Sequence, residues 1–136
     1  MMALAGLGVP AVISGKIGDD EFGRTYDEQV SAYGLVSHLV RGGGATGSSV
    51  ILVTPDGERT MNTHLGMCQE FVTADLDEEA LRLARFLYFT GYMWDTESQK
   101  AAILRAIEIA ETEGITVVFD VADPFAVERE EWVGGG

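Results

Sequence analysis

The sequence predicts an α/β fold in which a mostly parallel sheet is flanked by helices and a small β hairpin stands apart. Two observations support this prediction. Short, continuously apolar segments such as 86–89 alternate with amphipathic helical segments such as 97–113, the pattern of parallel strands covered by helices. In addition, the segment 46–63 alternates β-forming residues around a Pro-Asp-Gly turn, which is typical of an antiparallel hairpin.

Helix caps, glycines and changes of hydrophobic period delimit the individual elements. Asp19 or Asp20 can cap the first long helix, and Gly114 follows the longest one. The glycines at 42–44 form a flexible joint before the hairpin. An apolar face on the first long helix is predicted by residues at helical spacing, namely Phe22, Tyr26, Val30 and Tyr33. In chain order the predicted elements are helix 3–8, strand 9–17, helix 21–33, strand 36–40, hairpin 46–63, helix 76–84, strand 86–89, helix 97–113 and strand 115–121.

The composition is that of a globular chain and disfavours several classes of partner. The formal net charge of −13 and the scattered basic residues oppose binding to a phosphate backbone, so we expect no nucleic-acid partner. Cys68 is the only cysteine, which rules out an intrachain disulfide and suits a reducing compartment. The apolar start, residues 1–14, lacks a basic leading region and is shorter than the roughly 20 residues that span a bilayer. We therefore expect a cytoplasmic protein without membrane association.

Three short patterns fit a cofactor or metal site only in part. Residues 6–11 match a dinucleotide fingerprint, but a strand follows them where a helix is needed. Residues 42–49 lack the lysine of a phosphate-binding loop. His64 and Cys68 are four residues apart, a spacing that would put both on one helix face, but two ligands alone do not make a zinc site. We predict no metal site and assign no cofactor-binding residue.

Two carboxylates follow the last predicted strand. Asp120 and Asp123 lie at its carboxyl end, where ligands gather in open α/β sheets. An interpretation of equal weight is that Asp123 and Pro124 simply cap a helical turn.

Several motifs, spread over almost the entire chain, resemble the ribokinase-like (PfkB) family of sugar and nucleoside kinases. The family pattern Gly-Lys-Ile/Val-Gly-x-Asp-x-x-Gly is matched at residues 15–23, and its lid pattern at 46–47 and 56–60. Residues 89–92 and 120–125 look most like the adenosine kinase branch. The resemblance implies a partial ribokinase-like fold, with residues 1–35 and 66–136 as a partial α/β core and 36–65 as a β lid.

The resemblance also implies an acceptor pocket. Ser49, Met61 and Thr63 would be lid positions that face a nucleoside or sugar, while Tyr92 and Phe125 would be aromatic walls beside its base. Aromatic stacking suits a flat purine and contributes about 0.5–1.5 kcal/mol beyond burial. The alternative is that both rings are ordinary core aromatics.

The activity implied by the resemblance is transfer of the γ-phosphoryl group of ATP, with Mg²⁺, to a primary hydroxyl of an adenosine-like nucleoside or a sugar. The family's catalytic aspartate, in a Gly-Ala-Gly-Asp motif, and most of its ATP-binding residues are not in this sequence. We therefore assign no catalytic residue and expect this chain alone to be inactive. The alternative is a non-catalytic α/β module that binds a ligand or a protein; a metal- or thiol-dependent hydrolase is a more distant one.

Uncovered sheet or lid edges predict self-association.

Overall fold

The computed structural model describes residues 2–122, which divide after Phe71 into two compact units. The first unit contains α1 (Met2–Gly6), β1 (Val12–Gly18), α2 (Glu21–Ala32), β2 (Val36–Gly42), β3 (Ser48–Val53) and β4 (Arg59–His64). The second contains α3 (Glu78–Arg82), β5 (Phe86–Thr90), α4 (Glu97–Glu113) and β6 (Thr116–Asp120). Short 3-10 turns cover Gly66–Glu70, Thr73–Asp75 and Gly91–Trp94.

In the first unit, β1 and β2 pair in parallel, and α2 connects them. The register runs from Val12 opposite Val36 to Gly18 opposite Gly42. The strand β2 therefore belongs to a parallel pair, although it begins within the segment 36–65 that the sequence assigned to the lid. The pair ends at Gly18 and Gly42, so the first turn of α2 and the glycine-rich approach to the hairpin start at the same edge of the sheet.

The helix α2 presents a different face to the sheet than its aromatic residues predicted. Phe22, Tyr26 and Tyr33 are exposed, whereas Gly23 and Val30 are buried. The reason is steric: a Cβ atom on Gly23 would lie only 2.2 Å from the carbonyl oxygen of Gly18. The helix approaches the end of β1 this closely only along a side that carries no side chain at that point.

The strands β3 and β4 form a two-stranded antiparallel sheet, as predicted, and among the described residues neither strand pairs with any other. Their turn is closed by backbone hydrogen bonds from Gly57 N–H to the Thr54 carbonyl (2.8 Å) and from Thr54 N–H to the Glu58 carbonyl (3.0 Å). Gly57 has φ +88°, which favours glycine. The prediction of a separate hairpin is therefore confirmed.

In the second unit, β5 and β6 pair in parallel, with Phe86 opposite Thr116, and α4 connects the two strands. A reciprocal capping box between Thr96 and Gln99 begins α4, and Gly114 in the left-handed conformation ends it. One face of the helix packs into a buried cluster with α3 and with the residue that precedes β6. The cluster consists of Leu81, Ala106, Ile109, Ala110 and Ile115, with Leu76 and Leu87 packed against it.

The strand β5 is covered on one face by described residues, not on both as its apolar sequence predicted. Leu87 packs against the buried cluster, whereas Phe86 and Tyr88, on the other face, are more than half exposed. A continuous apolar run shows that both faces suit burial, but it does not say which elements supply the cover. The α/β class itself, with parallel strand pairs, helices and a small separate hairpin, is confirmed.

Candidate functional site

The hairpin brings three of the five predicted acceptor residues together on one face. Ser49 lies directly opposite Thr63, and Met61 lies opposite Ile51. Because side chains two residues apart in a strand point to the same side, these four residues share one face, which we call the hydroxyl face. The hydroxyls of Ser49 and Thr63 are hydrogen-bonded at 2.8 Å. Met61 is 66% exposed beside them.

The opposite side of the hairpin, here the aliphatic face, consists of Val50, Leu52, Thr60 and Asn62. Val50 and Leu52 are each 64% exposed. The hydroxyl face thus presents two bonded hydroxyls and a thioether beside Ile51, whereas the aliphatic face presents Val50 and Leu52 beside the polar side chains of Thr60 and Asn62.

The base of the hairpin is tied to the start of α2 by hydrogen bonds that converge on two side chains, Asp20 and Thr46. The backbone N–H of Thr46 donates to Asp20 Oδ2 (2.8 Å), and the Thr46 hydroxyl donates to Asp20 Oδ1 (2.6 Å). The same hydroxyl accepts a bond from Gly18 N–H (2.9 Å), and Gly23 N–H donates to Asp20 Oδ1 (2.8 Å). Thr46 is buried. We call this arrangement the Asp20–Thr46 joint.

The joint depends on an ionised carboxylate. The Thr46 hydroxyl, then the Thr46 backbone N–H and the Gly23 N–H, lower the pKa of Asp20 to about 2, because each bond stabilises the charged form. At neutral pH the side chain is therefore a carboxylate that accepts three hydrogen bonds. This is the chemistry of a helix N-cap, extended here to a residue 26 positions away in the sequence.

The chain leaving the hairpin also passes close to the chain entering it. A Cβ atom on Gly66, which has φ +55°, would lie 2.3 Å from the carbonyl oxygen of Ala45. That carbonyl accepts a hydrogen bond from Met67 N–H (2.9 Å). The Met67 side chain is buried, and its Sδ accepts a bond from Gly44 N–H (3.2 Å). Both ends of the hairpin are thus held at its base.

The other predicted residues lie in the second unit or outside the described structure. Tyr92 is in the 3-10 turn directly after β5 and is 60% exposed, so it is not a member of the buried cluster. Phe125, like Asp123 and Pro124, lies outside the described residues. Asp120 ends β6 and accepts hydrogen bonds from the Tyr88 hydroxyl (3.2 Å) and from Ala122 N–H (2.9 Å).

The residues that the structure describes do not fit a metal site. Residues 2–122 contain no group of three or more His, Cys, Asp or Glu side chains placed to hold a metal ion. His64 ends β4 and Cys68 lies in the following 3-10 turn, so their spacing does not place them on one helix face. Within the same range, no helix has the length and apolar character needed to cross a membrane.

The sequence placed Ser49, Met61 and Thr63 on the hairpin, where the structure has them, but it did not predict the joint at the base of the hairpin. Asp20 was predicted as a helix cap and Thr46 only as part of the lid pattern. The signal in the sequence was the Gly-x-Asp-x-x-Gly spacing. The N–H group of the second glycine, Gly23, donates directly to the Asp20 carboxylate, and that of the first, Gly18, donates to the Thr46 hydroxyl, which in turn donates to Asp20.

Comparisons with known proteins place these features in a family. The fructokinase-1 of Oryza sativa subsp. japonica is 30% identical over 126 residues, which cover 88% of this chain and 38% of that protein. An ATP-dependent ribose-1-phosphate kinase of Halopiger xanaduensis is 33% identical over 120 residues, 87% of this chain and 38% of that protein. The crystal structure of adenosine kinase from Sinorhizobium meliloti matches with a TM-score of 0.86 and 35% identity, covering 94% of this chain and 40% of that one.

The chain therefore spans well under half the length of the relatives that it matches. A family model described as pfkB family carbohydrate kinase matches residues 1–134, almost all of the sequence. The resemblance inferred from the motifs is confirmed, and the chain belongs to the pfkB family of carbohydrate kinases.

Proposed function

We propose that this chain supplies the lid and part of the acceptor pocket of a kinase that transfers the γ-phosphoryl group of ATP to a primary hydroxyl. The acceptor is a nucleoside, such as adenosine, or a sugar. The observation that carries the proposal is the hydroxyl face, on which Ser49, Met61 and Thr63 lie together. The relatives' own substrates, named as fructose, ribose 1-phosphate and adenosine, share sugar hydroxyls.

The chemistry of the hydroxyl face suits such an acceptor. Ser49 and Thr63 each carry a hydroxyl that can donate one hydrogen bond and accept two, so the pair retains capacity after bonding to each other. The exposed thioether of Met61 beside them can pack on a flat or apolar ligand surface. A hairpin that closes over the acceptor with this face inward would also exclude water from the transfer.

Tyr92 and Phe125 complete the proposal as aromatic walls of the pocket. The exposure of the Tyr92 ring supports this role, because a ring packed into the core could not stack on a ligand. The division into a core of residues 1–35 and 66–136 and a lid of 36–65 remains a prediction, as does a cytoplasmic location.

A binding experiment on the 136-residue chain tests the hydroxyl face. Adenosine, ribose and fructose are titrated into the parent chain, a Ser49→Ala/Thr63→Val variant and a Ser48→Ala/Thr60→Val variant. The control removes the same two kinds of hydroxyl from the opposite side of the same hairpin. We expect the first variant to bind its acceptor about tenfold more weakly, since two hydrogen bonds are lost. Equal binding by all three proteins, or no binding by the parent, would contradict the proposal.

A second candidate function is a non-catalytic module that binds a protein. The exposed aliphatic face, with Val50 and Leu52, is the observation that favours it, because exposed apolar surface promotes association. The same face predicts self-association, which sizing at several concentrations measures. Genomic sequence flanking the coding segment separates the candidates: an in-frame Gly-Ala-Gly-Asp motif downstream supports the kinase, and an immediate stop supports the module.

A further inference from the structure

Among the described residues, the strands of the hairpin contribute no buried side chain that could fix its orientation. Every residue of β3 and β4 is exposed, and an isolated two-stranded hairpin is only marginally stable in water. The direction in which the hydroxyl face points therefore depends on the contacts at the base of the hairpin.

The Asp20–Thr46 joint is placed to set that direction. Thr46 precedes β3 by two residues, and Asp20 is the N-cap of α2, a helix of 12 residues. The joint also includes the N–H of Gly18, the last residue of β1. A movement of Thr46 relative to the sheet and to α2 would therefore break these hydrogen bonds, of which the one from Gly18 N–H is buried.

The donors and acceptors of the joint require these two residue types. The two carboxylate oxygens of Asp20 accept three N–H or O–H donors, so an asparagine would turn its amide group towards one of those donors. The Thr46 hydroxyl donates to Asp20 and accepts from Gly18, and only a hydroxyl side chain of this reach can do both. Serine can therefore replace Thr46, whereas valine cannot.

We propose that Asp20 and Thr46 are positioning residues that hold the hydroxyl face in the orientation that receives the acceptor. This role rests on the proposed function, because it assigns an acceptor to that face. The two residues do not touch the acceptor themselves. They act through the backbone that leads from the joint into β3.

Spin-label distance measurements on the 136-residue chain test the orientation. Nitroxides are attached at Glu28→Cys on the exposed side of α2 and at Glu58→Cys near the hairpin turn, in a Cys68→Ser background. The labelled protein is diluted into unlabelled chain so that only distances within one molecule are measured. Asp20→Asn and Thr46→Val are compared with Thr46→Ser and with Asp27→Asn.

Asp27→Asn is the matched control, because it makes the same substitution on the same helix. The Asp27 carboxylate accepts hydrogen bonds from Ser37 and Arg41 of β2 and does not belong to the joint. We expect the distance distribution to become about twofold broader in Asp20→Asn and Thr46→Val, since charge-assisted bonds are lost or weakened. It should stay narrow in Thr46→Ser and Asp27→Asn. If Asp20→Asn fails to fold, Thr46→Val, which keeps the side-chain size, decides the outcome.

Acceptor titration of the same variants separates this proposal from the proposed function. A broader distribution together with an affinity for adenosine, ribose or fructose about tenfold lower supports a positioning role. Unchanged distributions in both joint variants overturn it, and so does a broader distribution with unchanged affinity. If the parent chain binds no acceptor, the proposed function fails, and the distances alone decide whether the joint orients the hairpin.

Discussion

Replacing Gly23 with alanine is expected to destabilise the first unit by forcing α2 away from β1. The added Cβ atom would lie 2.2 Å from the carbonyl oxygen of Gly18 and 2.8 Å from the Thr46 hydroxyl oxygen. Real Cβ contacts essentially never fall below 3.0 Å. The helix must therefore retreat from the Gly18 backbone by about 0.8 Å, which is an overpacking strain that no side-chain rotation can relieve.

Two opposing effects set the size of the change. Alanine is a better helix former than glycine, by up to about 1 kcal/mol in a helix interior. Overpacking against a rigid neighbour typically costs about 1–3 kcal/mol, and here the neighbour is backbone. The strain exceeds the propensity gain, so we expect a net loss of about 1–2 kcal/mol in the free energy of unfolding.

Urea unfolding of the 136-residue chain, followed by circular dichroism, measures this loss. Gly43→Ala is the matched control, because a Cβ atom there would have no heavy atom within 4 Å. We expect the control to differ little from the parent chain. A Gly23→Ala chain as stable as the parent, or more stable, would show that the close approach between α2 and β1 does not exist in solution.

Three further predictions concern pH, catalysis and the aromatic residues. The pKa of Asp20 is about 2 in the folded chain, below the roughly 3.9 of an unperturbed aspartate, so its stabilisation should be complete above about pH 4 and be lost as the pH falls to about 2. Acid unfolding of the parent and of Asp20→Asn measures this, and identical profiles would contradict it. The 136-residue chain, incubated with ATP, Mg²⁺ and adenosine, ribose or fructose, should show no turnover above background; turnover that copurifies with the chain would refute this. In an intact kinase carrying this sequence, Tyr92→Leu or Phe125→Leu should weaken acceptor binding about fivefold and change stability little. Lower stability with unchanged acceptor KM would identify both rings as core residues.

Local signals were sufficient to predict most of the elements. The Pro-Asp-Gly turn between two β-forming runs indicated the hairpin, and its register then follows from the turn. Helical spacing and Gly114 identified α4, for which the structure adds the Thr96–Gln99 capping box. These features depend on residues a few positions apart, which is the range over which propensity, capping and turn chemistry act.

The orientation of α2 could not be predicted in the same way. Hydrophobic periodicity assigns the buried face of a helix to its largest apolar residues, here Phe22 and Tyr26. The structure instead buries Gly23, because close approach to the Gly18 carbonyl requires the absence of a side chain. The contact between Asp20 and Thr46 joins residues 26 positions apart, and no local pattern reports such a pair.

The proposed roles therefore fall on two separate sets of residues, those that form the hydroxyl face and those that set its orientation. Under the proposal Ser49 and Thr63 would bind the acceptor, but, being exposed on a two-stranded sheet, they contribute little to the direction in which the hairpin points. In the proposed division of roles, the Asp20–Thr46 joint sets the orientation, since Thr46 is buried and the joint is tied to both β1 and α2. Substitutions on the hydroxyl face should thus change which acceptor is preferred while leaving the mobility of the hairpin unchanged. Substitutions in the joint should weaken the binding of every acceptor by a similar factor, because they change the direction of the hydroxyl face and not its chemistry.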